Sequence, residues 1–183
     1  MRLLILNFFK IPYKVFFLIE RYTYLLCYKF HYDDPRVIKE GSGGAHKYII
    51  TIKNETYFVK KFGFTSIFWH WVNLNFNPNI PKIVPTIYEK LNSVSKIKEL
   101  PLLQSFCDVI KVDYKKREIW TTYFSNYVNA DFSQKKDAFE CKKILNIFIK
   151  HGFSSCDHED SNFLKNSQSY KIIDIDSFLH EQY

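Results

Sequence analysis

Asp157, Asn162 and Asp174 are the residues of this chain whose types and spacing best suit a chemical task. They stand in Ser154-Ser155-Cys156-Asp157-His158-Glu159-Asp160-Ser161-Asn162-Phe163-Leu164 and in Tyr170-Lys171-Ile172-Ile173-Asp174. Phosphoryl transfer needs little covalent help from a protein, but it needs metal ions on the phosphates and a placed acceptor hydroxyl. Asp157, in a loop, could take or orient the acceptor's proton. Asn162, where the chain enters a strand, offers Mg²⁺ a neutral oxygen. Asp174, at the end of the Tyr170–Ile173 run, offers a carboxylate that could bridge metal and phosphates, and hard cations prefer such oxygen ligands. A solvated acidic turn explains Asp157, Glu159, Asp160 and Asn162 taken alone. It does not explain the amphipathic helix before them, the Ile-Ile-Asp strand after them, or the interval between the two acids.

Two further sets of residues fit the same chemistry. Gly41, Gly43 and Gly44 are three of the chain's five glycines and fall within four positions. Glycine serves where backbone must approach a phosphate closely or take a positive φ. An ordinary hairpin turn is the competing explanation, and His46 stands where a G-x-G-x-x-G pattern would have its last glycine. Lys60 follows Tyr57-Phe58-Val59 on the next strand and could reach the α- and β-phosphates. Lys61 competes with it, and strand alternation sends the two to opposite faces. Lys60 is favoured because of the neighbours it gives Phe62. Glu89, on the helix that follows, is the acid best placed in sequence to pair with Lys60.

The elements that must position these residues are legible in outline. Residues 1–30 read as one or two helices, with a break expected at Pro12. Apolar residues lie almost all round, so two expectations compete: a helix packed on the domain, or an interfacial membrane segment with Lys10, Lys14 and Arg21 near lipid headgroups. Arg36–Lys39, His46–Ile52 and Thr56–Phe62 read as strands, with a tight turn at Asn54-Glu55. Asn73–Pro85 reads as irregular, and Thr86–Val94 as a short helix carrying Glu89. Cys107–Val112 and Glu118–Phe124 read as strands joined by the charged turn 113–117. From about Ser133 a longer helix presents Ala138, Cys141, Ile144, Leu145, Phe148 and Ile149 on one face, and Gly152 ends it. Phe163-Leu164 and Tyr170–Ile173 make a hairpin with Asn166–Ser169 as its turn, which returns Asp174 toward Asn162.

Composition bounds the rest. One domain of 183 residues has ample apolar content for a core. The net charge of +7 comes from 22 Lys and only 4 Arg. Lys, Asn, Ile, Phe and Tyr share A/T-rich codons, so the bias is a weak clue to partners, and no Arg-and-aromatic concentration marks a nucleic-acid surface. The four cysteines (Cys27, Cys107, Cys141, Cys156) form no C-x-x-C pair. They suit neither a zinc site nor a disulfide scaffold, and they fit a reducing cytoplasm. No secretory signal is visible. Charges interrupt the N-terminal apolar segment well short of the ~20 residues of a spanning helix.

With these residues placed, the chain resembles the bacterial lipopolysaccharide core heptose kinases, a family within the protein-kinase-like superfamily. The closest part runs from Lys150-His151-Gly152-Phe153 through Asp157 and Asn162-Phe163-Leu164 to Ile172-Ile173-Asp174. Looser likeness covers Tyr57–Phe62 and a hinge at Glu118–Asn126. Three departures are Ser155 where the usual H-R-D opens with His, Asp174-Ile175-Asp176 in place of D-F-G, and a chain that stops nine residues after Asp174. The resemblance implies an α+β, protein-kinase-like two-lobed fold: an N-terminal segment 1–35, an N-lobe 36–124 with an antiparallel sheet, and a shortened helical C-lobe 125–183. It implies ATP and Mg²⁺ as cofactors, with Asp157 as base, Asn162 and Asp174 on the metal, and Lys60 on the phosphates. It implies transfer to a heptose hydroxyl of the lipid-linked core, in the cytoplasm or peripherally on the inner face of the cytoplasmic membrane, through contact by residues 1–30. Other readings are a kinase for another small-molecule or protein hydroxyl, and a non-catalytic kinase-like module that binds nucleotide or a partner.

Overall fold

The structure, a computed structural model, describes residues 2–38, 45–76, 85–155 and 162–180. The chain is mixed α+β with a five-stranded antiparallel sheet. Contacts divide it into two compact units, residues 1–87 with 113–120 and residues 88–112 with 121–183. Gly41, Gly43, Gly44 and Asp157 lie outside the described residues.

The first unit holds helix α1 (Arg2–Lys29), strands β1 (Arg36–Val37), β2 (His46–Ile52) and β3 (Glu55–Lys61), and helix α2 (Phe64–Phe76). With β4 (Val109–Asp113) and β5 (Glu118–Thr122), the large sheet runs in the order β1-β2-β3-β5-β4. β2 and β3 are β-branched and aromatic and pair from His46↔Lys61 to Ile52↔Glu55. Their connection is Lys53-Asn54, both at positive φ (50° and 68°), so the tight turn falls one residue earlier than expected. Two consecutive positive-φ residues match the right-handed strand twist, and Asn tolerates that conformation well.

α1 is one helix, not two. The break expected at Pro12 does not occur. Proline removes the hydrogen bond to the Phe8 carbonyl, but residue 12 is on the exposed side, where water can serve that oxygen. On the covered side, Phe9 meets Phe68 edge-on at 5.8 Å and Tyr13 stacks on Trp69 at 4.4 Å, holding both halves of α1 in line along α2. Asn73 to Phe76 are helical rather than irregular, because α2 continues through them. Further along α1, Tyr28 joins Tyr48, Ile50, Val59 and Trp120 in a buried cluster, edged by Tyr24, Leu25 and Tyr57. The sheet face that carries Tyr48, Ile50, Tyr57 and Val59 therefore packs under α1.

Two carboxylates fasten this layer. Glu118 is 2% exposed and accepts from the Tyr28 hydroxyl at 2.7 Å, Lys61 Nζ at 2.9 Å and Trp120 Nε1 at 3.0 Å. Lys61 also lies 4.5 Å over the Tyr24 ring. At the other tie, Glu20 accepts the N–H groups of Phe64 (2.6 Å) and Thr65 (3.0 Å), the Tyr24 hydroxyl (2.7 Å) and the Thr65 hydroxyl. His46 Nε2 stands 3.1 Å away and, against a carboxylate, is the donor. Burial alone would raise the Glu20 pKa, but the hydrogen bonds from His46, Thr65 and Tyr24 outweigh it and hold the carboxyl far below its usual range. Gly63 allows the approach, since a Cβ there would lie 2.4 Å from that carboxyl group.

The second unit holds α3 (Ile87–Glu99), α4 (Pro101–Cys107) and α5 (Lys135–Lys150), and strands β6 (Val128–Asn129), β7 (Phe153–Ser155), β8 (Phe163–Lys165), β9 (Tyr170–Ile172) and β10 (Phe178–His180). α3 runs five residues past the expected end at Val94. α5 buries Asp137, Cys141, Ile144 and Phe148, whereas Ile149, expected on that face, is exposed. Gly152 follows α5 at φ 79°, the left-handed position expected of it, and its N–H returns to the Ile149 carbonyl at 3.0 Å. β7 pairs with β10 from Phe153↔His180 to Ser155↔Phe178, and β6-β8-β9 form a three-stranded sheet. Among the described residues no helix is long and apolar enough to cross a membrane.

Glu118 gives the first testable consequence. Lys61→Met leaves a carboxylate buried without its cation and lowers stability by about 3 kcal/mol in urea unfolding. A loss below about 1 kcal/mol shows that the Lys61–Glu118 pair does not hold this layer.

Candidate functional site

β8 and β9 are a short hairpin whose geometry starts from its turn. Asn166 Oδ1 accepts the N–H groups of Gln168 (2.9 Å) and Ser169 (2.8 Å), an Asx arrangement that closes the loop. The register is Lys165↔Tyr170, Leu164↔Lys171 and Phe163↔Ile172. β6 flanks β8 with Val128↔Lys165, and Ala130 N–H donates to the Phe163 carbonyl at 2.8 Å. Phe163 and Ile172, each 1% exposed, anchor the open end in the core. Just beyond them the Ile173 N–H donates to the Asn162 carbonyl at 3.0 Å. Asn162 and Asp174 thus stand at the same end of the hairpin, as their spacing predicts.

Their surroundings differ. Asn162 is 8% exposed, and its Nδ2 has no hydrogen-bond partner among the described residues. Asp174 is half-buried. Its carbonyl accepts the Ser177 N–H (3.1 Å) and hydroxyl (2.7 Å) and so opens a 3-10 turn at Ile175–Ser177, while its carboxylate does not cap that turn. Asp176, inside the turn, is buried and lies 3.5 Å from Lys90 Nζ on α3. An amide buried with an unsatisfied nitrogen costs stability unless another group meets it. That nitrogen is a donor and calls for an acceptor; a hard cation would instead take oxygen atoms, and Asn162 and Asp174, at the same hairpin end, are the residues that would supply them. Among the described residues no three His, Cys, Asp or Glu side chains converge as a metal-holding group.

The two lysines of the hairpin are structural. Lys171 Nζ donates to the Ser105 carbonyl (2.7 Å) and to Asp108 (2.8 Å), tying β9 to α4. Lys165 pairs with Asp137, which also accepts the Tyr170 hydroxyl (2.7 Å) and the Asp131 N–H (2.8 Å). The Lys165 ammonium and the Asp131 N–H hold the Asp137 carboxyl down at about 2. Burial and the same carboxylate push Tyr170 up to about 12. This cluster borders a polar pocket of about 570 Å³ lined also by Asn126, Gln134 and Lys136. The sequence carries one sign of it: Asp137 is in phase with Cys141, Ile144 and Phe148, an acid within an apolar stripe.

The remaining candidates lie as follows. Lys60 is on β3 and 6% exposed, on the sheet face opposite to Lys61. Lys61 is engaged by Glu118. Glu89 is exposed in the first turn of α3. A scan against protein-family models finds no match for the chain, and no curated protein matches it significantly.

The depressed acid at the hairpin is directly measurable. A carboxylate whose folded pKa lies below the unfolded value of ~3.9 stabilises the fold above that value, and the contribution is lost as pH falls toward about 2. Carbon-detected NMR of the Asp137 carboxyl should show its titration near the bottom of that window, and Lys165→Met should raise the midpoint. An ordinary midpoint near ~3.9 in the unaltered protein is incompatible with the Lys165–Asp137–Tyr170 cluster.

Proposed function

We propose that this chain is an ATP-dependent phosphotransferase that uses Mg²⁺ and transfers the γ-phosphate to a hydroxyl, with a heptose of the lipopolysaccharide core as acceptor. The reading is carried by one observation. The register of β8 with β9 sets a buried Asn162 and a half-buried Asp174 at one hairpin end, twelve residues apart in sequence. Lys60, buried on β3, supports it. The family resemblance of residues 150–174 supplies the acceptor class.

Each residue has a stated task. Asp157 takes the proton of the acceptor hydroxyl as the new phosphate ester bond forms and the bond to the nucleoside diphosphate breaks. Asn162 and Asp174 hold the metal through oxygen atoms. Lys60 steadies the α- and β-phosphates as a point charge, with Glu89 as its acidic partner. The backbone of Gly41, Gly43 and Gly44 covers the phosphates without side-chain obstruction. Magnesium supplies neutralisation of charge that develops on the transferring group. The protein belongs, on this reading, at the cytoplasmic face of the inner membrane.

Thermal-shift measurements with ATP alone, Mg²⁺ alone and both together test the reading. Both together should stabilise the protein, by about 2.7 kcal/mol at a hundredfold excess over Kd. Asp174→Asn should weaken the metal-dependent part of nucleotide binding by about tenfold or more. Asp157→Asn should bind nucleotide normally yet give no phosphate-sized mass gain on purified core oligosaccharide. Absence of any ATP–Mg²⁺ stabilisation sinks the proposal. Stabilisation without transfer by the unaltered protein makes the chain a nucleotide-binding module instead.

A further inference from the structure

α1 has two apolar faces, and the sheet and α2 use only one of them. Tyr13, Phe17, Tyr24 and Tyr28 turn toward the rest of the first unit. On the other side Phe8, Ile11, Val15, Leu18, Tyr22 and Leu26 recur every three or four residues, each between 48% and 75% exposed. That spacing is a continuous stripe along the helix. α2 repeats the pattern with Phe64, Ile67, Trp71 and Leu74, between 38% and 69% exposed. An apolar groove of about 500 Å³ runs between the helices, lined by Phe8, Pro12, Phe16, Ile19, Phe64 and Phe68 among others. Large aliphatic and aromatic side chains set this way in water exceed the scattered exposure normal for a protein surface.

The charges of the two helices narrow what covers it. Lys10, Lys14 and Lys29 of α1 are exposed. The one carboxylate of α1, Glu20, is consumed by Thr65, Tyr24 and His46. α2 contains no Asp, Glu, Lys or Arg. The surface is therefore apolar and cationic with no acid of its own. Two copies of this chain meeting through it would bring lysines toward lysines with no carboxylate between them. A surface of anionic headgroups over acyl chains is complementary to it in both respects. Trp71 and Tyr22 are side chains that favour that boundary, with an apolar ring and one polar atom. No described helix can cross a bilayer, so α1 and α2 would lie in its plane.

We infer that the outer faces of α1 and α2 form a docking surface for an anionic lipid bilayer, with the lysines among the headgroups and the groove over the acyl region. This inference stands apart from phosphoryl transfer, since its observable is partition to a membrane. The test is flotation of the full chain with vesicles of phosphatidylcholine and phosphatidylglycerol at 7:3, against phosphatidylcholine alone. The unaltered protein should float with the anionic vesicles and much less with the neutral ones. Ile11→Glu with Leu18→Glu should lower partition by about tenfold or more with an unchanged circular dichroism spectrum, because both side chains are exposed. Phe139→Glu, an equally exposed apolar position on α5, should leave it unchanged. Lys10→Gln with Lys14→Gln should weaken binding to anionic vesicles only. The inference is overturned if the unaltered protein stays with the aqueous fraction, or if the Ile11/Leu18 variant floats as well as it does. Sedimentation showing a dimer that the same variant dissociates assigns the face to a second copy and overturns it equally.

Discussion

A carboxylate inside a protein persists only where donors from its surroundings replace the water it has lost, and this requirement organises the described chain. Three carboxylates obey it. Glu118 gathers α1, β3 and β5 through Tyr28, Lys61 and Trp120. Glu20 gathers β2 and the start of α2 onto α1 through His46, Phe64 and Thr65. Asp137 gathers β8 and β9 onto α5 through Lys165 and Tyr170. Each group is cheap to keep charged because several donors meet it, and costly to leave with fewer. Apolar burial supplies most of the drive to collapse, but it is indifferent to register. The three acids specify which helix lies on which strand pair.

The same requirement divides the work of the two adjacent lysines on β3. Strand alternation puts Lys60 and Lys61 on opposite faces. The face under α1 contains the buried Glu118, so Lys61 is bound to a structural role before any ligand is considered. Lys165 and Lys171 are likewise taken by Asp137 and Asp108. The net positive charge of the chain therefore overstates the cations open to an anionic ligand. Three of the lysines near the candidate residues, Lys61, Lys165 and Lys171, are answered in this way, and only the position of each in its element tells which.

How much of this the residues reveal depends on whether the deciding interaction is local. The β2–β3 pair, the β4–β5 pair, α5 with its Gly152 end and the β8–β9 hairpin all follow from short-range pattern, and with the last comes the shared end for Asn162 and Asp174. The failures are non-local. Pro12 should break a helix on its own, yet α2 holds both halves of α1 in line. α2 itself, rich in Phe and Trp and without charges, lacks the polar face that marks an amphipathic helix, so its Asn-rich end reads as loop. Spacing alone turns Ile149 inward, but the stripe of α5 is centred on Asp137, Cys141, Ile144 and Phe148, which leaves it outside. Glu118 reads as the first residue of a strand after a charged turn, and nothing nearby in sequence announces that Tyr28, ninety positions earlier, will bond it.

α1 joins these strands of argument. A helix apolar on every side normally belongs in the middle of a larger core or in a bilayer. Here the inward face is fully explained by the sheet, α2 and the two acids, and the outward face is explained by none of them. Helix propensity cannot account for it, since Phe, Tyr and Ile are mediocre helix formers and Leu is a better one. Solubility argues against it, because an exposed stripe invites association. What remains is an apolar face that no described element covers, on a helix that the inward ties hold in place. Glu20 and Tyr28 are two helical turns apart and fix both the axis and the rotation of α1. Rolling the outer residues inward would break both ties, so the contacts that bury the inner face and the exposure of the stripe are one arrangement.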